Sequence, residues 1–309
     1  MQSTIIDIEE ESFSGLIDKE LIGGRKEKRG KASVEEIEAF AKKNGIEAEK
    51  VHNYMWKKRK NIGTEKKITK FVESIWRFVF YGIFVVQGYI TLFTPQPAVW
   101  VTDTAQHWQG WPLYDSPYSD AFKLYYVLEL GCYIHELMWT EVTRSDALEM
   151  ILHHLVTITV MFLSWLAGFQ RIGSSILLVH DVADIFLESA KCFNYTNKIG
   201  GRKWAGIVCD ALFGVFAVVF FVSRLVIFPK YLLYSLVHDA PIIFEGFWPG
   251  YWLYTTLLGI LQILHINWFY FICLMIYRLV TTGIEKDERS DDEEDDETPS
   301  KSASVKKRE

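Results

Sequence analysis

The sequence has 309 residues, half of them hydrophobic and 15% aromatic, with a formal net charge of −6. A mean hydropathy of +0.07 averages two unlike parts, because both ends are strongly charged while residues 71–280 are mostly apolar with a scatter of isolated polar groups. Cys132, Cys192, Cys209 and Cys273 show neither CxxC nor His/Cys metal spacing, so they read as unpaired thiols and exclude a disulfide scaffold.

Residues 1–31 form a polar, basic N-terminal tail. Its start, "MQSTIIDIEEESFSGL", lacks a basic stretch followed by an apolar core, which predicts no cleavable signal peptide and leaves membrane insertion to internal spans. Residues 32–70 read as a small helical segment. Ser33 is the expected N-cap, with Glu36 three residues on, Ile37 and Phe40 on one face, Gly45 as the stop, and Val51 and Tyr54 in a second short helix. The basic finish "VHNYMWKKRKN" resembles a homeodomain recognition helix. Lys57, however, stands where that motif carries its adenine-reading asparagine, and a first helix of normal length is missing. Sequence-specific DNA binding is therefore not expected, and the segment reads as a basic platform at a membrane surface.

Crossing the hydrocarbon takes about 20 mostly apolar residues. Six segments approach this, at 71–93, 120–140, 147–168, 172–192, 205–228 and 251–280, so the expected fold is an all-α, polytopic bundle of six transmembrane helices. The second and fourth segments are the least apolar, and their ionisable groups are tolerable only facing a protein interior or a wet cavity. Lys57 to Lys70 is crowded with positive charge, "KCFNYTNKIGGRKW" carries more, and the stretch between the first two spans has none. This asymmetry predicts that both termini are cytosolic. The Asn194 to Thr196 sequon then lies in the cytosol and is expected to be unmodified.

Within the third span Glu149, His153 and Thr157 recur at i, i+4 and i+8 and so share a face. Glu149 is placed to accept from one nitrogen of His153 and fix its tautomer, while His154 points about 100° away. In the fourth span His180, Asp184 and Glu188 form a second stripe, with Asp181 beside it. A connection of a few residues makes these two helices antiparallel neighbours. His153 lies roughly 9 Å inside the cytosolic end of its span, and Glu188 and Asp184 roughly 7 and 13 Å inside theirs, so the histidine pair falls between the carboxylates in depth. Glu129, His135 and Glu136 in the second span, and Gln262, His265 and Asn267 in the sixth, read more simply as hydrogen-bond partners between helices.

An imidazole beside a carboxylate can act as a general base or as a nucleophile toward an activated acyl group. No G-x-S-x-G elbow is present. Histidine clusters such as H-x-x-H-H, which membrane di-iron enzymes need, are absent as well, so no metal and no bound cofactor are expected. After the spans, residues 281–309 form an acidic tail expected to be disordered. Ser290 precedes an acidic run and resembles an acidophilic-kinase site, and Lys306 and Lys307 in the final "KKRE" match a dilysine retrieval signal of the endoplasmic reticulum membrane.

The stretch from Arg144 to Tyr195, with "LHHLVT", "RIG", "HDVADIFLE" and "AKCFNY", resembles the Lag1 motif of ceramide synthases. The wider TLC domain would cover residues 71–280, and the homeobox-like segment resembles the animal branch of that family. This resemblance implies N-acylation of a sphingoid base by a fatty acyl-CoA, with acyl-CoA as co-substrate, in the endoplasmic reticulum membrane. Carried over, His153, His154, Asp181 and Asp184 are the catalytic expectation, supported by Glu149, His180 and Glu188. Arg144, Lys191, Lys198, Arg202 and Lys203 at the cytosolic rim would meet CoA phosphates. Membrane lipids are expected partners, and a homo- or hetero-dimer is compatible with such a bundle. The family uses the loop before its last span, here 234–250, to influence acyl-chain length. Many animal members carry an additional span before the homeobox-like segment, and residues 1–23 are too polar to supply it. The alternative reading is a non-catalytic TLC-type protein engaged in lipid sensing or translocon association.

Overall fold

The computed structural model describes residues 34–93, 99–111, 118–139 and 146–282. Ser33, Arg144, Ser290, Lys306 and Lys307 lie outside the described residues. The chain divides into two compact units, residues 1–68 and 69–309.

In the first unit, helix α1 (Val34–Asn44) is followed by Gly45, and the Ile46 N–H returns to the Ala41 carbonyl at 2.9 Å to close its end. Ile37, Phe40 and Ala41 pack on Val51 and Met55 of helix α2, which the sequence reading expected to be short. Instead α2 runs from Ala48 to Phe93. Its Lys- and Glu-rich middle contains no proline and a lone Gly63, so no residue there forces a stop. Residues of α2 from Thr69 onward belong to the second unit.

The second unit continues with α3 (Asp120–Met138), α4 (Ala147–Ala167), α5 (Gln170–Gly200), α6 (Lys203–Ile243) and α7 (Tyr251–Thr282). Ser119 caps α3 by accepting from the Phe122 N–H at 3.2 Å. Gly168 (φ 82°) and Gly201 (φ 61°) supply the left-handed turns that reverse the chain after α4 and α5. With so few residues between them, α4 and α5 lie antiparallel and side by side, as the spacing predicted. At Gly173 of α5 an added Cβ would collide with Tyr126 Oη of α3 and Ser164 Oγ of α4.

The expected break after residue 228 is absent. Phe221–Leu233 and Ser235–Asp239 are π-helical, and Tyr234 N–H reaches the Pro229 carbonyl in the wide i→i+5 register. Pro229 has no N–H to give to an α-helical ladder. Here the wider register carries the helix past it, so most of the expected loop 234–250 is helix through Ile243.

Among the described residues, four helices are long and apolar enough to cross a membrane: Ala48–Phe93, Ala147–Ala167, Lys203–Ile243 and Tyr251–Thr281. Helices α3 and α5 do not meet that measure, because their ionisable groups dilute the apolar content. Large apolar side chains such as Leu148, Leu166, Ile207, Val218 and Ile263 are more than half exposed on the outside of the helices. In water that surface is costly; in a bilayer it is solvated.

At one end of the second unit, a short segment folds as a turn of helix (Val99–Thr102) and a 3₁₀ turn (Thr104–His107). Trp108 donates to Ser235 Oγ at 2.6 Å, and Ser235 donates to the Thr104 carbonyl at 3.1 Å. Thr104 donates to Asp239 at 2.8 Å, and Arg171 donates to the Gln106 carbonyl at 2.7 Å. His107 sits between Ser235 and Ser175, 3.3 Å from each. Burial pushes the His107 imidazole down from 6.5 to about 4. This network ties the segment to α5 and α6.

Candidate active site

Helices α3, α4, α5, α6 and α7 each send polar side chains into a common region among buried aromatic residues. His153 and His154, successive on α4, are both buried, with ring centres 5.4 Å apart. They face different helices. The His153 ring stacks on His180 of α5 at 5.8 Å and meets the edge of Trp268 of α7 at 5.0 Å. His154 lies against Tyr133 of α3 at 6.2 Å.

On the α7 side, hydrogen bonds set the tautomers. His180 Nδ1 is 2.7 Å from the Ile176 carbonyl and so carries the hydrogen that it donates. His180 Nε2 is then an acceptor, filled by the Nε2–H of His265 at 3.0 Å. Both nitrogens of His180 are engaged, while His265 Nδ1 keeps a buried lone pair without a partner. Phe228 sets its ring edge against both histidines.

Arg224 enters from the π-helical part of α6. Its guanidinium donates to the His180 carbonyl at 2.7 Å and to Asp184 Oδ2 at 2.9 Å, and it stacks over Phe220. Asp184 is thus paired, whereas Asp181 turns toward α3 and accepts from Tyr133 Oη at 3.2 Å. Its other oxygen has no partner, and the same holds for Glu129 Oε1, His153 Nδ1, His154 Nδ1 and Thr157 Oγ1.

The expected contact between Glu149 and His153 does not form. Glu149 is half-exposed near the start of α4, His153 Nδ1 is unpartnered, and the stacked His180 and Trp268 hold the ring instead. Glu188 is buried and pairs with Lys191 at 2.7 Å, which commits that lysine to a neighbour on its own helix. Lys198, Arg202 and Lys203 are exposed around the α5–α6 turn. Among the described residues no three His, Cys, Asp or Glu side chains are arranged to hold a metal ion. Arg224 went unnoticed in the sequence, although one arginine inside an otherwise apolar span requires a buried carboxylate partner.

Residues 70–274 match the TLC domain over most of the chain. The chain belongs to the TLC-domain family. Its relatives in that family include ceramide synthase 3 of Homo sapiens, 36% identical over 261 residues, covering 84% of this chain and 64% of the relative. Ceramide synthase 4 of Bos taurus is 38% identical over 251 residues, covering 80% and 61%. ASC1-like protein 3 of Oryza sativa subsp. japonica is 34% identical over 242 residues, covering 75% and 81%. The chain thus spans a little under two thirds of the length of the first two of these ceramide synthases. Family membership and the apolar helices together make this TLC-domain chain a multi-pass membrane protein.

Proposed function

We propose that the chain is a sphingoid-base N-acyltransferase, which transfers a fatty acyl group from acyl-CoA to sphinganine or sphingosine and so makes dihydroceramide or ceramide. The observation that carries this reading is the polar centre itself: two adjacent buried histidines with open Nδ1 atoms, one against Tyr133 and the other against His180, inside an apolar bundle. The relatives that bear the name ceramide synthase support the same reading.

In this reaction the amine nitrogen attacks the thioester carbonyl, the C–N bond forms, the C–S bond breaks, and CoA leaves as the thiol after taking up a proton. His153 and His154 supply the base that removes the amine proton, either for direct attack or after one imidazole has first taken the acyl group. Asp181 and Asp184 orient this machinery. His180, with both nitrogens occupied, positions His153 rather than titrating, and His265 and Arg224 hold His180 in turn. Glu188 and Lys191 sit at the edge of the centre. Glu149 keeps at most a distant electrostatic role.

The reading takes α3 and α5 as spans alongside the four more apolar helices, since Glu129 of α3 and Asp181 and Glu188 of α5 are buried in the bundle. It places both termini in the cytosol and the protein in the endoplasmic reticulum membrane. Arg202 and Lys203, with Arg144, then meet CoA phosphates at the rim. Dimerisation and phosphorylation at Ser290 belong to the same proposal as regulation.

Incubating the purified full chain with sphinganine and a panel of acyl-CoAs tests it. N-acylsphinganine by mass spectrometry is the expected result. No product with any acyl-CoA would leave the non-catalytic, lipid-sensing reading in its place.

A further inference from the structure

Helix α3 carries a polar stripe that the acyl-transfer chemistry has not used. Tyr125, Glu129 and Tyr133 stand at i, i+4 and i+8 and so share one face. Glu129 is 1% exposed and Asp181, facing it from α5, is fully buried. Their carboxyl groups are near enough to interact, and Tyr125 adjoins Glu129 one turn earlier on α3. Two carboxyl groups meeting in a buried interface either share a proton or have a cation between them or beside them. Among the described residues none forms an ion pair with either one, since Arg224 is engaged by Asp184 and Arg77 by Glu136.

The unfilled valences are specific. Glu129 Oε1 and Asp181 Oδ2 are buried acceptors without a donor. Tyr125 Oη, on a side chain that is itself fully buried, also has no partner, and it supplies a hydroxyl that can donate as well as accept. Asp181 Oδ1 is filled by Tyr133 at 3.2 Å, and the Tyr133 ring is the surface on which His154 rests. Among the described residues no three His, Cys, Asp or Glu side chains here are arranged to hold a metal ion. A primary ammonium with hydroxyl groups beside it matches the vacancies: its N–H groups donate to both carboxyls, and a neighbouring hydroxyl exchanges a hydrogen bond with Tyr125.

We infer that Glu129 and Asp181, with Tyr125 and Tyr133, form the binding site for the ammonium and hydroxyl head of a long-chain amino alcohol, on the α3 side of the histidine pair. His154, resting on Tyr133, is then the histidine nearer the amine, and His153, held by His180 and Trp268, the one farther from it. The inference rests on the acyl-transfer reading for the identity of the amine; the site's chemistry does not depend on transfer taking place.

The test is direct binding of radiolabelled sphinganine to the full chain in nanodiscs without acyl-CoA, beside N-acetylsphinganine, which keeps the hydroxyls and lacks the ammonium. Wild type is expected to bind sphinganine at least tenfold more tightly than N-acetylsphinganine. Glu129→Gln, nearly isosteric, is expected to abolish that preference, and Tyr125→Phe to weaken sphinganine binding severalfold, with acyl-CoA binding by both variants within twofold of wild type. Asp120→Asn, an exposed carboxylate at the start of the same helix, controls for charge. Equal affinity of wild type for the two lipids, or a Glu129→Gln variant that retains the preference, overturns the inference and leaves the carboxyl pair as a bridge between α3 and α5. Should Glu129→Gln fail to fold, the Tyr125→Phe result decides alone, and unchanged sphinganine affinity there overturns the site. A wild type that binds sphinganine selectively and yields no N-acyl product contradicts the acyltransferase reading and not this one.

Discussion

Among the described residues of the second unit, two buried polar clusters contain histidine, and they are built differently. Around His107, Ser235, Trp108, Thr104 and Asp239 donate and accept among themselves, so the short segment after α2 is pinned to α5 and α6. Around His153 and His154, polar atoms on α3, α4, α5 and α7 are buried and left open. A buried polar group without a partner costs about 1–3 kcal/mol, so several together weaken the fold unless something else fills them. The first cluster is arranged like a structural fastening, the second like a site whose remaining partners arrive with the substrates.

Breaking the open cluster should produce the largest effect. His153→Ala and His154→Ala are expected to lower N-acylation by about 100-fold or more, as loss of a general base does, with melting temperatures in detergent close to wild type. Next comes the ion pair between Arg224 and Asp184. Arg224→Ala strips Asp184 and the His180 carbonyl of their donor and should cost about 3 kcal/mol. Asp184→Asn on that background should add little, which a double-mutant cycle in thermal unfolding measures.

The fastened cluster should answer to pH. Burial depresses His107 to about 4 from 6.5, so the unfolded chain takes up the proton first. Stability from this group is complete above about pH 6.5 and is lost as pH falls toward 4, by up to about 3 kcal/mol. Thermal unfolding of wild type against His107→Gln across that window should show the excess loss in wild type alone. Gly173→Ala, which forces a Cβ toward Tyr126 and Ser164, is expected to destabilise by about 1–3 kcal/mol. Smallest of all, Glu149→Gln should change N-acylation by less than about twofold, because no hydrogen bond links it to His153.

Much of this contrast could be read from residue spacing. The 3.6-residue period put His153 and His180 on inward stripes, and the short connection after Ala167 made their helices neighbours. Periodicity identifies a face and not the partner across it, which is why Glu149 was assigned to His153 while His180 and Trp268 from other helices took that place. The two aspartates looked alike at i and i+3, yet Arg224 claims Asp184 and Tyr133 claims Asp181. Arg224 itself was hidden in "VSRLVIFPK", where the apolar run drew attention and the lone charge did not. The expected span stopped at 228, one residue before Pro229, which an α-helical ladder does not accommodate; the π register that carries the helix past it leaves no mark in composition.

The central claim is that chemistry belongs to the open cluster and support to the closed one. Its most direct test is the rate of N-acylsphinganine formation per mole of folded protein for wild type, His153→Ala, His154→Ala and His107→Ala, each assayed well below its melting temperature at pH 7.5. The account predicts near-complete loss in at least one variant of the pair and, for His107→Ala, a rate per folded molecule within a few-fold of wild type. Equal activity of both pair variants and wild type, with His107→Ala inactive though folded, would contradict it.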